Sequence, residues 1–274
     1  MLLNPENANL SLHPVRPNAP EPDEAMTETL TAAVLVIGDE ILSGRTQDTN
    51  LATLAKFLAA LGIDLAEARV VRDIEAEIVA AVNALRARYT YVFTTGGIGP
   101  THDDITADSI ARAFGAGIDY HPEVLALLGA RYKPGEFNDM RKRMARIPDG
   151  ASLIANSVSG APGFQLGNVF VMAGVPMIMR AMLDDVAPRL ARGAVVVSAT
   201  VSARVAEGRI AGPLARIQAE HNTVSIGSYP FYREDGSGVQ LVVRGRDAEA
   251  VEAAAAAIER VLEAEGTSST RILS

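Results

Sequence analysis

The chain has no cysteine and no tryptophan, only four histidines, and aromatic residues fill just 5% of its 274 positions. The missing thiols exclude disulfides, thiolate metal centres and cysteine nucleophiles. A chain without bridges suits a reducing compartment, so the cytoplasm is expected. No uninterrupted apolar run approaches the roughly 18 residues of a membrane-spanning helix, and the first residues, rich in proline and acids, contain no apolar signal core. No membrane partner is expected. Positive charge is also short, with 25 Lys and Arg against 33 Asp and Glu, a net charge of −8. That is the wrong sign for a surface that neutralises a phosphate backbone, so nucleic acid is not an expected partner. The histidines are scattered, and neither a Ser-His-Asp arrangement nor an H-E-x-x-H pair can be read.

What is present is apolar residue in quantity, 48% of the chain, enough to bury a sizeable core. Residues 1–27 are the exception: rich in Pro, Asn and Glu, they read as a disordered tail. From residue 31 the pattern alternates strand and helix. Apolar strands are expected at 32–37, 65–71 and 90–95, with helices at 48–61, from the Asp73 cap to about 85, and at 104–114. Two helices broken at Lys133-Pro134-Gly135, a strand pair at 164–166 and 169–172, and a helix at 176–190 follow. This order predicts an α/β fold, a three-layer, mainly parallel sheet covered on both faces, over residues 28–192. Residues 193–274 repeat the order β-α-β-β-α and predict a small α+β domain of ferredoxin-like kind.

Two loops carry the chemistry. Thr94-Thr95-Gly96-Gly97-Ile98-Gly99-Pro100-Thr101-His102-Asp103-Asp104 joins a strand to a helix. Its glycines let backbone amides approach a ligand, and the helix that follows offers free N–H groups and a positive dipole end, which suits phosphate. It is neither a P-loop nor a dinucleotide fingerprint. The second loop, Gly38-Asp39-Glu40-Ile41-Leu42-Ser43-Gly44, follows the first strand. In a doubly wound sheet these strands are neighbours whose ends flank a crevice, so Asp39, Glu40, Asp103 and Asp104 are expected at one mouth. Carboxylates repel phosphate unless a divalent cation, Mg, Mn or Co, sits between them. Each loop also has a plain structural reading, as a polar βα turn with Asp103 or Asp104 capping a helix. Asp48-Thr49-Asn50 fits a helix N-terminus, where Asp48 reads as a cap and the role of Asn50 is open. A third loop, Gly174-Val175-Pro176, starts a helix after a strand.

The motifs GDEILSGRTQDTN and TTGGIGPTHDDIT resemble the molybdopterin-binding-like domain of the competence/damage-inducible protein A (CinA) family and of the N-terminus of eukaryotic FAD synthase. The segment SIGSYPFY is similar to the small domain that follows in FAD synthase. The resemblance implies the MoaB/Mog fold, with Gly96, Gly97, Gly99, Thr101 and Asn50 toward phosphate, and Asp39, Glu40, Asp103 and Asp104 toward a metal. Asp39 and Asp104 would be catalytic. It further implies a pterin or nucleotide-diphosphate ligand, self-association into a homo-oligomer, and one of two activities: metal-dependent pyrophosphatase action on ADP-ribose or FAD, or binding without turnover. The third loop departs from the family, with Ile178 where a glutamate is usual and Met172-Ala173-Gly174 in place of Leu-Pro-Gly.

Overall fold

The computed structural model describes residues 29–133, 135–233 and 236–273, so the tail expected over 1–27 lies outside the described residues. The chain opens on β1 (Thr31–Ile37), whose side chains are buried on both faces of a sheet, which is why TAAVLVI is continuously apolar rather than alternating. There follow α1 (Asp39–Leu42), α2 (Asn50–Ala60), β2 (Asp64–Val71), α3 (Glu75–Arg86), β3 (Tyr91–Thr95) and α4 (Thr106–Phe114). Next come β4 (Ile118–Tyr120), α5 (Pro122–Gly129), α6 (Asp139–Lys142), β5 (Arg146–Pro148), β6 (Ser152–Ile154), β7 (Gly163–Leu166), β8 (Val169–Met172) and α7 (Pro176–Val186).

The main sheet has the order β2-β1-β3-β8-β7-β6, parallel from β2 to β8 and antiparallel at β7 and β6. One face carries Leu35, Val92 and Phe164 against Ile78 and Ile110, and the other carries Val34 and Phe93 against Leu54 and Met179. Phe93 stacks on its register partner Phe170 with ring centroids 5.1 Å apart. The three-layer α/β architecture is as the sequence predicts. Because the chain leaves β1 first toward β2 and later returns to β3 on its other side, the ends of β1 and β3 splay apart at a switch point.

A second sheet is built from β9 (Val197–Ala203), α8 (Glu207–Glu220), β10 (Ser225–Arg233), β11 (Gly236–Gly245), α9 (Ala248–Ala264) and β12 (Ser269–Leu273). Its order is β10-β11-β9-β12, all antiparallel, with its own buried core of Val201, Leu241, Ile258 and Leu262. That is the ferredoxin-like arrangement, and β12 supplies a closing strand that the sequence reading did not foresee. The two bodies meet where the Gly193 amide donates to the Leu61 carbonyl at 2.9 Å and Arg246 pairs with Asp64 at 2.9 Å. Gly62, at φ +71°, has no room for a side chain there, since a Cβ would lie 2.3 Å from the Gly193 carbonyl oxygen.

Local differences from the sequence reading have physical causes. Residues 39–42 coil into α1 instead of staying a loop, with two acids in the first turn where the helix dipole favours them. Helix α4 starts at Thr106, not at residue 104, and neither Asp103 nor Asp104 caps it: the residue before its first turn is Ile105. Asp73 does not cap α3 either, because its carboxylate accepts the Asp39 amide at 2.9 Å.

Candidate functional site

A cavity of about 540 Å³ opens at the switch point. Its walls come from the loop after β1 (Glu40, Thr46), the glycine loop after β3 (Gly96, Gly97, Gly99, Asp104), the loop after β8 (Gly174, Pro176) and the turn around Asn156 and Ser159. The backbones that make it are in close contact. The Gly96 amide donates to Met172 O at 3.2 Å, and a Cβ on Gly96 would sit 2.1 Å from the Ile37 carbonyl oxygen. Gly97 has φ +66°, and a Cβ there would lie 2.2 Å from Thr106 Oγ1. Only glycine satisfies both demands. Thr106, fully buried, holds the loop from the helix side: its hydroxyl donates to Gly96 O at 3.0 Å and its amide to Gly97 O at 3.0 Å.

Asp104 folds back onto the loop. Its Oδ2 accepts the Thr101 amide at 2.7 Å and the Thr101 hydroxyl at 2.5 Å, and Gly99 passes so close that a Cβ would be 2.6 Å from the same oxygen. Behind the loop, Arg143 donates to the Asp104 carbonyl at 3.3 Å.

The residues expected at the site divide. Gly96, Gly97, Gly99, Glu40 and Asp104 line the cavity. Thr101 shapes the loop through Asp104 and is exposed. Asp39 is turned out of the cavity toward Arg72, whose Nε donates to it at 3.3 Å. Asp103 faces solvent beside His102 at 3.9 Å. Asn50 is buried behind the wall: its Nδ2 donates to Gly174 O at 2.7 Å, tying the first loop's helix to the third loop, and its Oδ1 has no hydrogen-bond partner. Asp48 does act as a cap, accepting the Leu51 amide at 2.9 Å. The four acids therefore do not meet at one point, and among the described residues no three of the His, Asp and Glu side chains are arranged to hold a metal ion.

Asp73 and Arg143 are the residues that sequence reasoning missed. Asp73 is pushed above the ordinary aspartate value mainly by burial, against the pull of its bond to Asp39, and then by the charges of Glu40, Asp39 and Asp103. The acidic loop thus includes a neighbour from the end of β2. Its only sequence signal is its position after a strand, which reads equally well as a helix cap.

These features define an α/β protein with a cavity at the switch point of its sheet, followed by a ferredoxin-like body. The chain belongs to the family described as "Probable molybdopterin binding domain", matched over residues 33–192, and residues 195–270 match "FAD synthase, middle domain". It is 36% identical over 245 residues to a CinA-like protein of Gemmatimonas aurantiaca, an alignment covering 83% of this chain and 57% of that protein. It is 30% identical over 261 residues to a probable FAD synthase of Caenorhabditis briggsae, covering 85% and 49%. The chain spans about half the length of these two relatives. A solved structure of the protein CinA with unknown function from Thermoplasma acidophilum aligns with a TM-score of 0.56 at 33% identity, covering 59% of this chain and 98% of that one. The CinA-type resemblance, with its likeness to FAD synthase, is borne out. Among the described residues no helix is long and apolar enough to cross a membrane.

Proposed function

We propose that the switch-point cavity binds a phosphate-bearing pterin or nucleotide diphosphate, and that the chain hydrolyses diphosphates of the ADP-ribose or FAD kind with a divalent cation. The observation that carries this reading is the composition of the wall. Glycine-loop backbone faces a space that Glu40 and Asp104 also line, while among the described residues no Lys, Arg or His lines it. A phosphate ligand and two carboxylates in one cavity need a shared cation.

Among the described residues no metal site is preformed, so the cation would arrive with its ligand. Glu40 and Asp104 would supply two hard oxygen donors, and phosphate oxygens and water the others. When bound, such an ion polarises a phosphoryl oxygen and lowers the pKa of water. The chain's own part is positional: the loop amides would offset charge developing on the phosphate, and Thr101 fixes the Asp104 carboxylate by holding one of its oxygens.

A second reading, binding without turnover, draws support from the absence of a three-ligand cluster among the described residues. A screen of ADP-ribose and FAD with Mg²⁺, Mn²⁺ or Co²⁺, run beside molybdopterin binding, separates the two. Metal-dependent release of nucleoside monophosphate is the expected result. Binding with no product under any metal would leave the non-catalytic reading.

A further inference from the structure

A second cavity, of about 530 Å³, opens beside the turn at Asn156, a residue that lines both cavities. Its size is that of a small-molecule site. One wall is α5, whose Val124 and Leu128 are buried in the core while Leu127, on a further face of the helix, lines the cavity and is 49% exposed. Leu153, Ala155 and Pro162 extend the apolar lining to β6, the last strand of the main sheet.

The outer edge at β6 is already spent. The Ala155 amide donates to Asp185 Oδ2 at 3.0 Å, and Arg189 Nη2 donates to the Leu153 carbonyl at 2.6 Å. Arg189 and Asp185 also pair with each other, and Arg189 reaches Ser152 Oγ and Gln165 Oε1 as well. A polypeptide strand therefore finds no free ladder to join here, and the charge of Arg189 is neutralised by its own partner. A compact molecule is the occupant that fits.

The remaining charges select its chemistry. Arg131 lies across Gly160, where a Cβ would overlap the guanidinium, and its side chain has no hydrogen-bond or ion-pair partner among the described residues. Glu123, the other lining carboxylate besides Asp185, is likewise unpaired among them. About 12 Å of helical rise separates Glu123 from Arg131, with Leu127 midway. An anionic head gains a charge-assisted pair at Arg131, whereas a second anion at the far end meets Glu123. We infer that this cavity binds a small amphiphile with a single anionic head, a medium-chain carboxylate in class, its head on Arg131 and its chain along Leu127 and Leu153. The site is independent of the diphosphate reading of the first cavity, and its occupancy is measured without turnover.

Calorimetric titration of the full chain with decanoate, kept below its micelle concentration, tests it. Wild type should bind decanoate, and should bind decanol, decyltrimethylammonium and decanedioate roughly tenfold or more weakly. Arg131→Gln should weaken decanoate by roughly tenfold, the scale of one lost charge-assisted hydrogen bond, and Leu127→Asp should do the same by placing a like charge beside the chain. Glu123→Gln should instead narrow the gap between decanoate and decanedioate. All three residues are exposed, so the variants should fold, as circular dichroism checks; if Leu127→Asp does not, Arg131→Gln decides. No decanoate binding by wild type, equal binding of decanol or decyltrimethylammonium, or decanoate affinity indifferent to Arg131→Gln in folded protein overturns the proposal.

Discussion

Asp73 shows how one residue can register the electrostatics of the crevice. Its carboxyl sits above its ordinary value because burial and the neighbouring Glu40, Asp39 and Asp103 disfavour its charge. A folded-state pKa above the unfolded one costs stability once pH rises past the unfolded value near 4, and the cost is complete above the folded pKa. Asp73→Asn keeps an acceptor for the Asp39 amide and removes the charge. It should therefore raise the melting temperature at neutral pH by up to a few degrees, an advantage that disappears as pH falls toward 4, as a pair of melting series would show. Gly97→Ala should act in the other direction. Its left-handed φ alone costs about 1–2 kcal/mol for an L side chain. The methyl also presses on Thr106 Oγ1, which anchors the loop. Denaturant unfolding should show at least that loss, and calorimetry should show weaker phosphate-ligand binding.

Elements explain why part of the structure was legible. Strands β1 and β8 are apolar runs buried on both faces, and β3 is a short β-branched and aromatic run ending in two buried threonines, so their places, and the loops after them, follow from residue pattern. Three-residue strands such as β4 and β5 carry too little periodicity to be read, and the closing strand β12, STRIL, mixes polar and apolar residues because one of its faces is open. The site was legible as loops but not as side-chain directions. Nothing local in the sequence says that Arg72 draws Asp39 outward or that Asp104 turns back to Thr101. Asn50 is the sharpest case: a polar residue beside an acidic loop reads as a ligand contact, yet it serves as a tie from α2 to the Gly174 carbonyl. Asn50→Ala would leave that buried bond unmade. It should cost about 1–3 kcal/mol in unfolding free energy. Ligand affinity should fall with it, because the third loop is released; unchanged affinity in a folded variant would show that the loop holds its place without the tie.

At the scale of the whole molecule, two bodies with separate cores are joined at Gly62, Gly193 and the Arg246–Asp64 pair. The crevice belongs wholly to the first, since every wall of the cavity comes from residues before α8. A fragment of residues 29–192 that folds should accordingly keep ligand binding, as calorimetry would record. The account's central claim is that the crevice holds a diphosphate through a cation shared with Asp104. Its most direct test is diphosphate hydrolysis by wild type and Asp104→Asn, each with and without EDTA, with folding checked by circular dichroism. Asparagine still offers Thr101 an acceptor, so the loop should keep its shape while the charge is lost. The account predicts metal-dependent product from wild type, abolished by EDTA and sharply reduced by Asp104→Asn; hydrolysis indifferent to both would contradict it.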